Sequence, residues 1–209
     1  HRRCWRIWYF GLLISLYRNI PACNEVVEEG NQGRLVGFEL EGKKFGVVGT
    51  GAIGLRVAAI AQAFGCEVLA YSRTKKGRSP ALPTQIWTLS FPSVTLYLFT
   101  TFERFHQRVN RKRTAGLMKK NAVLINTARG PVVDSQALAE ALNEERIAGL
   151  IDVFETEPPV KKEHPLLNAK HVIATPHAAF ATKEALVKRA VIVFDNITAW
   201  LNNAPQNVM

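Results

Sequence analysis

The chain of 209 residues predicts an α/β fold with a doubly wound parallel sheet. From residue 43 onwards, short apolar runs typical of buried strands alternate with segments of helical periodicity. One strand runs into a Gly-x-Gly-x-x-Gly turn, and three later strands end in clusters of polar residues. Strands that return to one sheet through helices lie parallel to one another, so this alternation favours a parallel sheet with helices on both faces.

The most informative stretch is Phe45–Gly54, in which an apolar run ends in Gly-x-Gly-x-x-Gly. Periodicity predicts a strand before the glycines and a helix over 53–64 after them, so the glycines lie at a strand-to-helix turn. Gly49 permits the tight turn, Gly51 leaves room for a pyrophosphate, and Gly54 allows close helix–strand packing. A turn that serves packing alone is the alternative. The motif predicts a Rossmann-like dinucleotide site, with free N–H groups at the helix N-terminus, formed by Gly49, Gly51, Ala52, Ile53 and Gly54.

The remaining elements are predicted from periodicity, turns and caps. Apolar spacing predicts a helix over residues 9–29 that is interrupted near Pro21, followed by a polar loop. Asp134 is predicted to cap the helix that begins at the next residue. The other predicted strands are 67–71, 94–101, 122–126, 148–152 and 171–174, and the later predicted helices are 135–145 and 182–202.

Residues 77–116 do not follow this pattern. A β-α unit with acidic residues and alternating apolar positions is expected there, but the segment is rich in Arg, Ser and Pro and keeps one strand-like run, 94–101. Two explanations stay open: a pair of compensating frame shifts in the sequence, or real divergence toward a binding role. The frame-shift hypothesis extends to residues 1–9.

The formal net charge of +10 lies in two patches. Residues 74–120 hold ten Lys and Arg against one acidic residue, residues 1–6 add three Arg, and the rest of the chain is net −2. A mildly acidic remainder favours a globular enzyme over a nucleic-acid-binding protein. No apolar segment is long enough to span a bilayer, and Cys4, Cys23 and Cys66 lack metal-ligand or disulfide spacing. We therefore expect a cytoplasmic protein with no membrane segment and no metal site.

The polar clusters lie where open α/β sheets bind ligands, just beyond strand ends. Arg129 follows a predicted strand directly and can present a bidentate fork to a carboxylate. His177 follows a proline, and Glu157 stands upstream of it, which suits a His–Glu pair for proton transfer. The alternatives are a loop ion pair for Arg129, a solvated acid for Glu157 and a turn histidine for His177. His164 and His171 have no supporting pattern and are interpreted as surface residues.

Together and in this order, the motifs resemble those of the D-isomer-specific 2-hydroxyacid dehydrogenases. The resemblance extends from about Phe10 to Val208, and the matching segments are Gly49–Gly54, Leu124–Asp134, Asp152–Pro158 and Thr175–His177. It implies an α/β enzyme that uses NAD or NADP. The implied reaction interconverts a small D-2-hydroxy acid and its 2-oxo acid, such as hydroxypyruvate, glyoxylate or pyruvate.

The resemblance also implies roles for individual residues. Arg129 would bind the substrate carboxylate and carbonyl, and His177 would donate a proton to the carbonyl oxygen. Glu157 would pair with His177. The residues that would line the cofactor are Thr127, Ala128, Arg129, Asp152 and His177, with Asp152 holding the nicotinamide carboxamide.

Besides the segment 77–116, two features depart from the family pattern. The acidic residue expected on the adenine ribose is replaced by Ser72, and Arg73 follows it. A 2′-phosphate is then no longer repelled and gains a cationic partner, which predicts that NADPH is used at least as well as NADH. In addition, family members begin much earlier, with most of a flavodoxin-like substrate domain.

The expected domain division follows from that second departure. Residues 1–35 are expected to be a remnant of the substrate domain with its linking helix, and 36–180 the dinucleotide-binding domain. Residues 181–209 are expected to form a helix that returns towards the substrate domain. Because efficient turnover needs a closed cleft that excludes water, we expect a truncated form with weak or no activity. The resemblance implies a homodimer. The alternative function is a non-catalytic dinucleotide-sensing or corepressor-like protein of the same fold.

Overall fold

The computed structural model describes residues 4–71, 93–99, 118–156 and 159–207, with side chains described from residue 7. Within these residues, six parallel strands form one sheet, which confirms the predicted doubly wound fold. The strands are β1 (Lys44–Val48), β2 (Glu67–Tyr71), β3 (Leu96–Phe99), β4 (Ala122–Asn126), β5 (Ile147–Ile151) and β6 (Val172–Ala174). The helices are α1 (Cys4–Tyr17), α2 (Ile20–Glu28), α3 (Ala52–Ala63), α4 (Ser135–Asn143) and α5 (Lys183–Leu201), and short 3-10 turns cover Gly130–Val132 and Pro165–Leu167.

The strand order, β2-β1-β3-β4-β5-β6, places a topological switch point between β1 and β3. From β1 the chain moves outwards to β2, then crosses to the other side of β1 and continues outwards from β3 to β6. The register pairs Val48 with Phe99 and Phe99 with Asn126, so three strand ends lie side by side. Open α/β sheets bind their ligands in the crevice at such a switch point.

Both faces of the sheet are buried, as is usual when helices cover a parallel sheet. On one face, Tyr97 belongs to a buried cluster with Leu138 of α4. On the other face, Phe45 belongs to a cluster with Val57 of α3 and Leu13 of α1. The first helix therefore packs as part of the sheet's hydrophobic core.

The bounds of the elements follow the sequence prediction closely except at the N-terminal helix. Strands β2 and β4 have the predicted bounds, and Asp134 caps α4 as predicted, since its Oδ1 accepts a 3.0 Å hydrogen bond from a backbone N–H in the first turn. The helix predicted over 9–29 starts earlier than expected, but the interruption predicted near Pro21 is confirmed. It begins at Cys4 and is interrupted before α2 at Asn19, whose φ of 52° is left-handed. Pro21 lies in the first turn of α2, where a missing N–H removes no helical hydrogen bond.

The anomalous segment 77–116 enters the described fold through one strand. β3 lies between β1 and β4, and all of its residues are buried. This confirms the strand predicted within residues 94–101, although the described strand is shorter. The other residues of the anomalous segment, apart from 93–95, lie outside the described part of the chain.

The C-terminal helix α5 lies on the surface of the domain. None of its residues is buried, although many are apolar. Phe194 and Trp200 are each 69% exposed, and Val187 is 60% exposed. An apolar helix face of this kind is typical of a surface that contacts another domain or subunit. Among the described helices, none is long and apolar enough to cross a membrane.

Candidate active site

The glycine-rich turn after β1 has the geometry that its sequence predicts. Gly49 has a φ of 108°, which a side chain would strain, and its N–H donates a 2.8 Å hydrogen bond to the carbonyl of Tyr71. A Cβ on Gly54 would lie 1.9 Å from the carbonyl oxygen of Gly49, so only glycine allows α3 to begin this close to β1. A Cβ on Gly51, by contrast, would meet nothing within 4 Å. The open space beside Gly51 fits a ligand that approaches the backbone.

Helix α3 begins directly after this turn, so its first N–H groups lie next to the glycines. Gly51 is the N-cap and provides no side-chain hydrogen bond. The first N–H groups of a helix lack helical partners, and the helix dipole makes this end positive. Ala52 and Ile53 supply the first of these groups. This arrangement fits a phosphate group bound at the helix N-terminus.

A tight turn follows β4 and carries the predicted Arg129. Within it the buried carboxamide of Asn126 donates a 2.9 Å hydrogen bond to the carbonyl of Arg129 and accepts one of 3.2 Å from the N–H of Ala128. The exposed Arg129 side chain donates to the carbonyl of Ala128 at 2.6 Å. Asn126 therefore sets the shape of the turn, a role that sequence patterns alone did not indicate.

Thr127, in the same turn, holds a buried polar atom without a partner among the described residues. Its side chain is 2% exposed, and Oγ1 forms no hydrogen bond there. Buried hydroxyl groups are almost always hydrogen-bonded, because leaving one unpaired costs about 1–3 kcal/mol. The orphaned hydroxyl, beside the crevice at the strand ends, fits a bound polar ligand such as the dinucleotide.

The turn after β4 packs directly on the segment that leaves β5. A Cβ on Gly130 would lie 1.9 Å from the carbonyl carbon of Phe154 and 2.2 Å from the nitrogen of Glu155. No other residue fits between these two backbones. The backbone contact joins the motif that carries Arg129 to the start of the motif that carries Glu157, although Glu157 itself lies outside the described residues.

Asp152 joins the end of β5 to the segment after β6. It is completely buried, and its Oδ1 accepts hydrogen bonds from the hydroxyl of Thr175 at 2.5 Å and from the N–H of Ala178 at 2.9 Å. Its Oδ2 accepts a 3.0 Å hydrogen bond from the N–H of Ala179. The donors of these hydrogen bonds lie on both sides of His177 in the sequence.

His177 occupies a constrained position within that segment. Its φ of 53° is left-handed, and its N–H donates a 3.0 Å hydrogen bond to the carbonyl of Thr175. The half-buried ring stands edge-on to Phe180, with ring centroids 5.9 Å apart. The residue also lines a mostly apolar cavity of about 300 Å³, together with Phe154, Val160, Leu167, Ala174, Thr175 and Pro176. A left-handed, non-glycine residue at a ligand-facing loop is the kind of strain that functional sites hold.

A second polar cluster was missed by the sequence patterns. The carboxylate of Glu155 accepts a hydrogen bond from the hydroxyl of Ser135 and lies 3.1 Å from Nε2 of His164. Burial raises the pKa of Glu155, but hydrogen bonds, above all the one from Ser135, lower it further, so that its pKa lies below the ordinary value. The interpretation of His164 as a surface residue is therefore wrong, since 13% of its side chain is exposed. That of His171, 52% exposed, is confirmed.

The predicted site residues thus fall into two groups, those at one edge of the sheet and those outside the described residues. The glycine turn and the motifs after β4, β5 and β6 lie at one edge of the sheet, and backbone contacts and hydrogen bonds join the last three of them. Ser72, Arg73 and Glu157 lie outside the described residues. Within the described ranges, no group of His, Cys, Asp and Glu is arranged to hold a metal ion.

Comparison with known proteins finds relatives along most of the chain. Residues 10–179 match the family described as D-isomer specific 2-hydroxyacid dehydrogenase, NAD binding domain. The D-3-phosphoglycerate dehydrogenase of Methanocaldococcus jannaschii is 38% identical over 197 residues, which cover 90% of this chain and 37% of that protein. The glyoxylate reductase of Aeropyrum pernix is 34% identical over 217 residues, which cover 96% of this chain and 64% of that enzyme. This chain therefore spans less than two thirds of the length of either relative.

A solved structure shows the same fold. The D-lactate dehydrogenase from Aquifex aeolicus, in complex with NAD and lactic acid, superposes with a TM-score of 0.87 at 26% identity. The superposition covers 98% of this chain and 68% of that one. The six parallel strands and the helices around them are thus the Rossmann-like fold of that group of proteins.

Proposed function

Because this chain belongs to the D-isomer specific 2-hydroxyacid dehydrogenase family, we propose that it forms the cofactor-binding part of an enzyme that reduces a 2-oxo acid to its D-2-hydroxy acid. The observation that carries the proposal is the joining of three motifs at one sheet edge. Gly130 brings the Arg129 turn against Phe154, and Asp152 is hydrogen-bonded to the His177 segment. Motifs that are far apart in sequence therefore form one polar site beside the dinucleotide crevice.

The cofactor is NAD or NADP, and the residues present fit it. The backbone of the glycine turn would hold the pyrophosphate, and the unpaired hydroxyl of Thr127 would gain a partner. Asp152 would hold the nicotinamide carboxamide: each carboxylate oxygen can accept two hydrogen bonds, and Oδ2 has one protein donor among the described residues. When bound, the reduced nicotinamide supplies the hydride for the substrate carbonyl carbon.

Arg129 would bind the carboxylate of the substrate. Its guanidinium is exposed beyond the end of β4, and the carboxamide of Asn126 braces the turn that carries it. A planar guanidinium pairs with a carboxylate through two parallel hydrogen bonds, which fixes the orientation of the acid as well as its position. The substrate class of this site is accordingly a small 2-oxo acid, such as the glyoxylate that is reduced by the related enzymes.

His177 would protonate the carbonyl oxygen as the substrate is reduced. Asp152 is hydrogen-bonded to residues on both sides of His177, which restrains the backbone that carries the ring. Glu157 would pair with His177 and stabilise the protonated ring. These assignments to Arg129, His177 and Glu157 are supported by the family motifs and by the joining of the three segments.

NADPH should serve at least as well as NADH. Ser72 stands where the family carries an acid for the adenine ribose, and Arg73 follows it. A serine does not repel a 2′-phosphate, and an adjacent guanidinium attracts it. Equal or tighter binding of NADPH in a fluorescence titration supports this assignment, and a clear preference for NADH contradicts it.

The exposed apolar face of α5 supports the proposed domain division. In that division, residues 36–180 form the dinucleotide-binding domain, while 1–35 and 181–209 connect it to a substrate domain. Phe194 and Trp200 on α5 would pack on that domain. We also propose a homodimer, on the resemblance alone.

The test of the proposed function uses a deuterium-labelled cofactor. The chain is first titrated with NADH and NADPH, and then incubated with glyoxylate and NADH that carries deuterium at C4. Hydride transfer oxidises the cofactor to NAD⁺ and, with one proton, converts glyoxylate to deuterated glycolate, which mass spectrometry detects even when turnover is slow. Deuterated glycolate from the wild type, and much less from His177→Gln, is expected. Tight cofactor binding without label transfer would instead support the non-catalytic binding protein.

A further inference from the structure

Glu155 joins three parts of the fold, although the family resemblance gave it no role. One carboxylate oxygen accepts a hydrogen bond from Ser135, the first residue of α4. The other oxygen lies 3.1 Å from Nε2 of His164. Nδ1 of the same ring accepts a 3.3 Å hydrogen bond from the N–H of Leu166. A neutral ring with that acceptor carries its proton on Nε2, so His164 donates a hydrogen bond to Glu155.

These two donors fix the orientation of the Glu155 carboxylate. The ring of His164 stands edge-on to Phe154 with centroids 5.2 Å apart, and 13% of its side chain is exposed. Although burial raises the pKa of Glu155, hydrogen bonds from Ser135 and His164 lower it further, below its ordinary value. Glu155 is therefore ionised at neutral pH, and both of its oxygens act as acceptors. The carboxylate is held by one donor on each side.

The same residue contacts both ends of the segment that carries Arg129. At the start of the segment, a Cβ on Gly130 would lie 2.2 Å from the backbone nitrogen of Glu155, so the two backbones touch. At its end, the hydroxyl of Ser135 donates to the Glu155 carboxylate. One contact is made by the backbone of Glu155 and the other by its side chain. Together they fix the position and the direction of residues 129–135 relative to the end of β5.

The segment 129–135 is hydrogen-bonded in a way that transmits a shift of Ser135 to Arg129. The carbonyl of Arg129 accepts a 2.9 Å hydrogen bond from the carboxamide of Asn126 and one of 3.2 Å from the N–H of Val132. Val132 is completely buried in the hydrophobic core. Because close-packed interiors transmit strain, a displacement at one end of this short segment reaches the backbone at the other end.

We propose that Glu155 is a positioning residue for Arg129. Its carboxylate holds Ser135, and with it the segment 129–135, against the residues that follow β5. The inference rests on the proposed function, in which Arg129 binds the carboxylate of the substrate. The side chain of Arg129 is exposed, so the reach of its guanidinium depends on the backbone from which it extends. Without the hydrogen bond from Ser135, that backbone occupies more positions, and fewer of them allow two parallel hydrogen bonds to the substrate.

The first test measures the order of the Arg129 turn by amide hydrogen exchange. Ser135→Ala removes the hydrogen bond to Glu155. Gln136→Ala is the matched control, because it removes an exposed 3.3 Å side-chain hydrogen bond at the next residue of the same helix. In Ser135→Ala, we expect the hydrogen-bonded amides of Ala128 and Val132 to exchange about tenfold faster, the factor typical of losing a hydrogen bond to a charged group. Exchange in β1 should not change.

His164→Asn is a second variant, which acts from the other side of Glu155. It removes the donor to the second carboxylate oxygen and keeps Ser135, so it should raise exchange at the same two amides by a smaller factor. Exchange in Ser135→Ala that is no faster than in Gln136→Ala overturns the proposal, whatever the chain does with glyoxylate. If Ser135→Ala folds poorly, the same comparison between His164→Asn and Gln136→Ala decides.

The second test asks whether the hydrogen bond acts through Arg129. Deuterium transfer to glyoxylate is measured for Ser135→Ala in the wild-type background and in Arg129→Lys, which keeps the charge but not the guanidinium fork. Residues of one network have non-additive effects, so Ser135→Ala should lower the rate about fivefold in the wild type and less than about twofold in Arg129→Lys. Gln136→Ala should leave the rate of either background unchanged.

The outcomes separate positioning from a general loss of stability. Equal losses from Ser135→Ala in the two backgrounds overturn the positioning role, because a destabilised fold lowers both rates alike. A wild-type chain that transfers no label contradicts the proposed function instead. The exchange measurement, which needs no turnover, then decides whether Glu155 holds the turn that carries Arg129.

Discussion

The carboxylate of Asp152, at the end of β5, accepts a 3.0 Å hydrogen bond from the backbone N–H of Ala179, two residues beyond His177. Together with the bonds from Thr175 and Ala178, it ties the end of one strand to the loop after the next. A completely buried carboxylate is stable only when such donors compensate for its loss of water. The residue assigned to the cofactor by resemblance therefore also holds the backbone around the proposed proton donor.

Asp152→Asn should destabilise the protein. An asparagine side chain has only one acceptor oxygen. Its NH2 group would therefore face at least one of the three donors that now bind the carboxylate. We expect a loss of about 1–3 kcal/mol in the free energy of unfolding, measured by urea denaturation. Asp134→Asn is the matched control, because asparagine is an equally good N-cap. Similar stabilities for the two variants would contradict the bracing role of Asp152.

Thr127→Val should affect stability and cofactor binding in opposite directions. The Thr127 hydroxyl is buried without a partner among the described residues, so its removal should raise the free energy of unfolding of the free protein by about 1 kcal/mol. If the hydroxyl binds the dinucleotide, the Kd for NADH should also rise about five- to tenfold. Thr127→Ser, which keeps the hydroxyl, is the control. A destabilised Thr127→Val variant with unchanged affinity would show that the hydroxyl serves the fold.

Gly51→Val should weaken cofactor binding without unfolding the protein. The space beside Gly51 is open, so valine fits the free domain but occupies the position proposed for the pyrophosphate. We expect a thermal midpoint close to that of the wild type and at least about a tenfold rise in the Kd for NADH, which is about 1.4 kcal/mol of binding free energy. Gly11→Val is the control, since the space beside Gly11 is also open but lies in α1. Unchanged affinity would mean that the turn serves packing alone.

The contribution of Glu155 to stability should disappear in acid. Despite burial, its hydrogen bonds hold the pKa of Glu155 below the ordinary value in the folded state. A carboxyl group with a lowered folded pKa stabilises the protein above its unfolded pKa, and this stabilisation is lost as the pH falls through the folded pKa. The difference in unfolding free energy between the wild type and Glu155→Gln should therefore be largest near neutral pH and shrink below about pH 4. A difference that stays constant from neutral pH into acid would contradict this linkage.

The local sequence was sufficient to predict features that depend on a single strand, helix or turn. The strand β4 is a continuous apolar run with a polar residue at its end, and Asp134 caps the helix that begins beside it. Gly49 and Gly54 were correctly assigned because the turn from strand to helix imposes a positive φ and a close approach within six residues. The break in the N-terminal helix was predicted near Pro21, whereas the residue with left-handed backbone at the break is Asn19, which carries no strong local signal.

Contacts between segments that are far apart along the chain depended on the tertiary structure. The need for glycine at Gly130 comes from the backbone of Phe154, and the burial of His164 comes from Glu155 and Phe154. Periodicity and capping patterns depend only on residues that are close in the sequence. These contacts form because adjacent parallel strands bring their loops to one edge of the sheet. The sequence determined the kind of fold and the turns at which its motifs lie. The folded sheet decided which side chains hold those motifs in place.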